Sequence, residues 1–229
     1  MMSQNNNYTK PRGKTSQWLN PTLELETTLK ATGIKLIAGV DEAGRGAWAG
    51  PVVAAAVILP EDLPDKLGIN DSKQLTPAQR DGLFSKIQEL AVATGVGIVE
   101  VEEVDKLGVA QATYVAMAQA IDALKIKPEF ILVDGFKVNF EQAPSSGIID
   151  GDAKSMSIAA GSIVAKVVRD RLMVELHNKY PRFGFAIHKG YGTQLHQERI
   201  AKHGVCPAHR KSFAPVKMMM HHKLTQGSL

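Results

Sequence analysis

From residue 34 onward, short apolar runs alternate with longer stretches whose apolar residues recur at helical spacing, which predicts the strands and helices of one domain. Residues 34–40 hold a single charge, Lys35, and read as a buried strand. Residues 51–59 are apolar throughout and read as a second. The link between them is short, so the two should form an antiparallel hairpin. Thr76 as N-cap and Pro77 at the first helical position open a helix over residues 76–92. Residues 95–101 alternate as a third strand. Leu107, Ala110, Val115, Ala118, Ile121 and Leu124 share one face and predict a single amphipathic helix over 104–124, stopped by Pro128. A fourth strand, 130–133, ends at Asp134 and Gly135, and a short fifth, 148–149, precedes Asp150 and Asp152. A long helix rich in Ala, Ile and Val spans 155–179, closed by Pro181, and a last clear one spans 193–203.

Before residue 34 the chain is polar. Residues 1–20 read as a disordered arm, with a short helix over 23–31. The division expected is an arm, 1–33, a single α/β domain, 34–215, and a tail, 216–229. Hairpin strands followed by a helical crossover predict a mixed sheet with helices packed on it.

Composition narrows the class. A chain of 229 residues with 44% hydrophobic positions can bury a sizeable core. A net charge of +4 is compatible with a polyanionic partner without requiring one. Cys206 is the only cysteine, which excludes an internal disulfide and fits a reducing, cytoplasmic setting. The N-terminus lacks the apolar core of a secretory signal, and no run approaches the roughly 18 apolar residues of a membrane span. No membrane partner is therefore expected.

The candidate chemistry lies where strands end. Asp41 and Glu42 sit side by side after the first apolar run, inside Ile37-Ala-Gly-Val-Asp-Glu-Ala-Gly-Arg-Gly46. Two buried carboxylates repel and lose solvation unless a cation or hydrogen-bond donors offset them. Val133-Asp134-Gly135 repeats the theme of apolar strand, acid and glycine, and Asp150 and Asp152 follow the fifth strand. Any one of these acids alone is better read as a loop residue or cap. Together, without cysteine or an obvious histidine, they suit a hard cation such as Mg²⁺ or Mn²⁺. Strand neighbours face opposite ways, so Asp41 and Glu42 share a site only if the strand ends or twists between them.

Gly44, Arg45 and Gly46 would bring bare N–H groups and a fixed positive charge to a phosphate, or simply make a hairpin turn. The strand that follows opposes a nucleotide-binding loop, which would open a helix. Ser72 and Lys73 are candidate phosphate contacts or a helix entry. Lys166, Arg169 and Arg171 read as an ordinary solvated face. Tyr191, between two glycines, would stack on a sugar or base, or be an incidental ring in a turn. His203, Cys206 and His209 do not match a usual structural zinc site.

Taken together, these segments resemble ribonuclease HII, the type 2 RNase H family. The resemblance is carried by Ala38-Gly-Val-Asp-Glu-Ala-Gly-Arg-Gly46, Asp71-Ser-Lys73, Val133-Asp-Gly135, Gly151-Asp-Ala-Lys-Ser155, Arg169-Asp-Arg171 and Lys189-Gly-Tyr-Gly-Thr193, in the family's order over residues 36 to about 215. It implies an RNase H-like mixed sheet flanked by helices, with a C-terminal helical segment. It implies an endoribonuclease that cleaves the RNA of RNA–DNA hybrids and incises 5′ of single ribonucleotides in duplex DNA, leaving 5′-phosphate and 3′-hydroxyl ends. Asp41, Glu42, Asp134 and Asp152 match the family's metal-binding, catalytic acids. Residues 44–46 and Tyr191 match its readers of the 2′-hydroxyl and the RNA-to-DNA step. The chain departs from the family pattern at Ala47-Trp48, Gln74, Asp150 and Gly161, none of them a catalytic acid. The expectation is metal-assisted hydrolysis with two Mn²⁺ or Mg²⁺ ions by a cytoplasmic monomer. The alternatives are a hybrid-binding module that does not cut, opposed by the four intact acids, and a nucleotide hydrolase, opposed by the missing phosphate-loop lysine.

Overall fold

A computed structural model of the protein describes residues 20–63, 67–70, 72–135 and 138–226, the side chains from 221 onward excepted. The expected arm up to residue 19, and Asp71, lie outside the described residues. In chain order the elements are α1 (Glu24–Ala31), β1 (Ile37–Ala43), β2 (Val52–Ile58), α2 (Pro77–Leu90), β3 (Ala93–Val99), α3 (Val101–Leu107), α4 (Val109–Asp122), β4 (Phe130–Asp134), β5 (Ser145–Ile148), α5 (Met156–Lys179), α6 (Phe185–His188), α7 (Gln194–His203) and α8 (Ala214–Gln226).

The five strands form one sheet in the order β3-β2-β1-β4-β5. β1, β2 and β3 pair antiparallel, as the short first link requires. β4 lies parallel to β1, and β5 parallel to β4. The sheet is mixed, with helices on both faces. Val52, Ala54, Ala56 and Ile58 point to the face covered by Ala112, Ala116, Ala120 and Ile121 of α4. Ala55 and Val57 point to the opposite face, under Ile163 and Val164 of α5 and Ile87 of α2. A strand covered on both sides must be apolar throughout, which is why β2 reads Val-Val-Ala-Ala-Ala-Val-Ile.

Several boundaries differ from the sequence expectation. β1 runs past residue 40 to Ala43, because its ladder with β2 continues through Asp41↔Ala55 and Glu42↔Ala54 to Ala43↔Val53. The two acids are therefore inside the strand. β3 starts earlier and ends at Val99, its length set by pairing from Val52↔Val99 to Ile58↔Ala93. The expected single helix over 104–124 is two helices. Gly108, at φ 78 and ψ 154, ends α3 and begins α4, a conformation open to glycine that no helix can pass through. β5 lies three residues earlier than expected, and Ile149 falls in the following turn. The described part of the tail is helical, within a helix over Ala214–Gln226. α2 begins as predicted, with Thr76 and Gln79 forming a reciprocal capping box.

Candidate active site

The parallel register of β1 and β4 aligns Val40 with Val133. The next residue of each strand, Asp41 and Asp134, thus emerges beside the other at the carboxyl ends of neighbouring strands, where open α/β sheets bind ligands. β5 ends beside Asp134, and the chain turns at Asp150, which is left-handed at φ 54. A 3-10 turn over Gly151–Ala153 then carries Asp152. The Gly151 N–H donates to Asp134 Oδ1 at 2.7 Å, fastening this turn to the end of β4.

A cavity of about 560 Å³ opens here. Asp41, Glu42, Asp134, Gly44, Arg45, Gly46, Ser72, Lys73 and Tyr191 all line it, together with Arg80, Ser162 and Lys166. Asp152 does not line it and is linked to it by Lys73, whose Nζ stands 2.7 Å from Asp152 Oδ2. The cavity lies across the end of β1, so strand neighbours Asp41 and Glu42 both reach it. The Asp41 carboxylate curls back to accept the Glu42 N–H at 2.6 Å. Arg45 approaches Glu42 at 3.5 Å from an exposed position. The Ser72 hydroxyl is buried and shares a hydrogen bond with Ser162 at 2.9 Å, so it supports the cavity wall. Asp150 faces solvent.

The acids stand in an environment that disfavours their charge. Burial pushes Asp41 well above the usual carboxylate range, and the charges of Glu42 and Asp134 push it further. Burial also raises Glu42, with Arg45 opposing and Asp134 adding to the rise. Asp134 is raised by burial, against the pull of the Gly151 N–H and with the push of Asp152. Among the described residues no three Asp, Glu, His or Cys side chains stand so as to hold one ion. Asp41, Asp134 and Asp152 are instead each engaged with a donor at 2.6–2.7 Å. The donor set still fits a hard divalent cation: it is all oxygen, and the mutual repulsion of Asp41, Glu42 and Asp134 is what such a cation would offset.

A family model described as ribonuclease HII matches residues 38–216. The chain belongs to the ribonuclease HII family. The ribonuclease HII of Geobacillus kaustophilus (strain HTA426) is 52% identical over 200 residues, covering 86% of this chain and 75% of that protein. The crystal structure of ribonuclease H2 from Pyrococcus horikoshii OT3 has a TM-score of 0.70 at 31% identity, covering 82% of this chain and 98% of that one. Bst-RNase HIII in complex with Mn²⁺ shares the fold, with a TM-score of 0.62 at 21% identity over 82% of this chain and 70% of that one. The resemblance carried by the motifs is borne out, and so is the fold class. As a ribonuclease HII family member the chain is a ribonuclease H, a hydrolase that cuts RNA within RNA–DNA hybrids. No helix among the described residues is long and apolar enough to cross a membrane.

Lys166, read as solvated, and Arg80, not singled out from sequence, both line the cavity, and two buried arginines beside it were likewise misread or missed. Arg169 is not on a solvated face; it is fully buried, whereas Arg171 is exposed. Its Nε donates to Pro51 O at 3.0 Å, Nη1 to Lys189 O at 3.0 Å and Nη2 to Ala49 O at 3.2 Å. Its guanidinium also lies 5.4 Å from the centre of the Tyr191 ring. One side chain thereby ties the loop after β1 to the loop bearing Tyr191. Arg210, also fully buried, adds bonds to Gly50 O at 2.9 Å and Arg45 O at 3.1 Å. Helical spacing carried a signal for Arg169: it lies four residues from buried Ala165 and four from buried Met173. Nothing in the spacing around Arg210 marks it.

A buried imidazole pair supports the same loop. The Cys206 N–H donates to His209 Nδ1 at 2.9 Å, leaving the proton of neutral His209 on Nε2. That nitrogen is 3.1 Å from His196 Nε2, which must then accept, so His196 Nδ1–H donates to Tyr191 O at 3.0 Å. Burial holds both histidines neutral, with pKa values lowered to about 4.

Proposed function

We propose that the chain cleaves both the RNA strand of RNA–DNA hybrids and the phosphodiester 5′ of single ribonucleotides in duplex DNA, leaving 5′-phosphate and 3′-hydroxyl ends. Asp41, Glu42, Asp134 and Asp152 are the catalytic and metal-binding acids of this reading. The observation that carries it is the meeting of Asp41, Glu42 and Asp134 in one cavity with the glycine-flanked Arg45 and Tyr191. Two Mn²⁺ or Mg²⁺ ions would supply positive charge at the phosphodiester when bound to these carboxylates; the Mn²⁺ complex of Bst-RNase HIII supports a divalent ion on the same fold.

The remaining work falls to the protein's own groups. The N–H groups and the guanidinium of residues 44–46 hold the substrate backbone at the cavity mouth, and Lys73 takes a phosphate. The Tyr191 ring, 38% exposed, packs against the sugar at the RNA-to-DNA step, where a 2′-hydroxyl distinguishes the strands. Arg169 fixes the distance between these two recognition loops. The working form is read as a cytoplasmic monomer. A cleavage gel comparing a hybrid with a duplex holding one ribonucleotide, each with Mn²⁺ and with Mg²⁺, tests the activity. Cutting of the hybrid alone would remove the single-ribonucleotide part of the proposal, and metal-independent cutting would remove the role of the acids as ligands.

A further inference from the structure

Helix α1 precedes the family match, which starts at residue 38. Yet it contributes a carboxylate that is 4% exposed, Glu26. A buried carboxylate on a short surface helix is costly unless it is bonded. Glu26 Oε1 accepts the Ser155 hydroxyl at 2.6 Å, the Ser157 hydroxyl at 2.6 Å and the Ser157 N–H at 3.0 Å. These groups form the first turn of α5, where a negative charge also meets the positive end of the helix dipole. The backbone joins at the same place: Thr22 N–H donates to Lys154 O at 3.2 Å, and Met156 N–H donates to Thr22 O at 3.0 Å.

From Ser155 the connection runs directly to the acids. The Ser155 N–H donates to Gly151 O at 2.8 Å. Gly151 in turn donates its N–H to Asp134 Oδ1, and Asp152 is the next residue. The Ser155 hydroxyl cannot move alone, because it also caps α5 by accepting the Ile158 N–H at 3.2 Å. Glu26 is thus two hydrogen-bonded steps from the turn that sets both Asp134 and Asp152.

We infer that Glu26 is a positioning residue for the reaction: α1 is a structural part of the active site, and its buried carboxylate holds Asp134 and Asp152 in place through Ser155 and Gly151. The inference rests on the reading of Asp134 and Asp152 as catalytic acids. Partners bonded directly to ligating groups typically cost about 10–100-fold in metal affinity or activity when removed, and Glu26, acting through Ser155 and Gly151, belongs at the lower end of that range.

The test is Glu26→Ala in the full chain, with kcat and KM on a hybrid, Mn²⁺ affinity by calorimetry without substrate, and deuterium exchange of the amides from Gly151 to Ile158. The expected result is a fall in kcat of about 10-fold, weaker Mn²⁺ binding, unchanged KM and faster exchange over that segment. Glu26→Gln, which keeps an acceptor oxygen for the serines, should recover most of the loss. If Glu26→Ala does not fold, Glu26→Asp, too short to reach both serines, is expected to lower kcat with KM unchanged. Wild-type kcat and Mn²⁺ affinity in whichever of these two variants folds would overturn the inference, even with a lower melting temperature. Asp152→Asn is measured alongside. If it retains full activity, the reading of the acids has failed, and that failure is separate from any result at Glu26.

Discussion

The ammonium of Lys73 stands 2.7 Å from Oδ2 of Asp152. The lysine side chain is 74% exposed and the carboxylate 8%, so the pair is open to water at its lysine end. An ion pair so open to water contributes only about 0–1 kcal/mol, which a substrate phosphate readily outcompetes. Lys73→Met should therefore weaken hybrid binding with little change in folding stability. Measured against salt in the non-cutting Asp134→Asn background, the slope of log K should fall by about one unit. An unchanged slope would place Lys73 off the phosphate path.

Asp134→Asn should abolish cleavage and yet make the protein more stable without divalent ions. The folded state raises this carboxyl, so it favours the protonated form. The contribution is present at acid pH and is lost as pH rises through the folded value, which makes the charge a cost at neutral pH. Each kcal/mol regained raises the melting temperature by about 2–4 °C for a chain of this size. Added Mn²⁺ should raise the melting temperature of the unsubstituted protein and do so less in Asp134→Asn. Calorimetric scans with and without Mn²⁺ check both statements.

Gly44→Ala should damage both recognition loops at once. Gly44 is at φ 91, and a Cβ there would lie 1.8 Å from Nε of Arg169. The left-handed backbone alone costs about 1–3 kcal/mol in other residues. Displacing the guanidinium would also leave the carbonyls of Ala49, Pro51 and Lys189 without their donor. Urea unfolding should show the stability loss, and cleavage of a single-ribonucleotide duplex should fall more steeply than that of a hybrid. Equal loss on both substrates would mean that the two loops do not share the junction-reading role.

Acid should loosen the Tyr191 loop. His196 and His209 are lowered from 6.5 to about 4, so the unfolded chain binds protons before the folded one does. Stability gained from the neutral pair is complete above about 6.5 and is lost as pH falls toward 4. Protection factors at Tyr191 and Thr193, corrected for the slower intrinsic exchange at low pH, should fall over this window before global unfolding. Because the raised acids respond with the opposite sign, the Asp134→Asn variant should show a steeper acid loss than the unsubstituted protein.

Local pattern carried much of this protein. The hairpin of β1 and β2, the capped start of α2, the length of α5 and the acid-bearing ends of β1 and β4 all follow from near neighbours in sequence, where turn chemistry, caps and apolar runs act. The candidate acids stood out only as a set, since one alone reads as a loop residue or cap, and residues 44–46, Ser72, Lys73 and Tyr191 were singled out more by the resemblance to the family than by local pattern. The split at Gly108 was not readable, since apolar spacing continues across it and only the backbone angle breaks the helix.

What tertiary structure alone decided is which distant groups meet. Asp41 stands beside Asp134 because β1 and β4 pair in parallel with Val40 opposite Val133, a register chosen by packing on both faces of the sheet. Arg169 and Arg210 are buried because unpaired loop carbonyls converge around them, and Glu26 is buried because two serines of α5 await it. The bonds from Arg169 to Pro51, from Arg210 to Gly50 and from Ser155 to Glu26 each join residues more than a hundred positions apart. Residue type and local spacing determine that a charge is present. Whether it is solvated or enclosed depends on surfaces that exist only once the chain has folded.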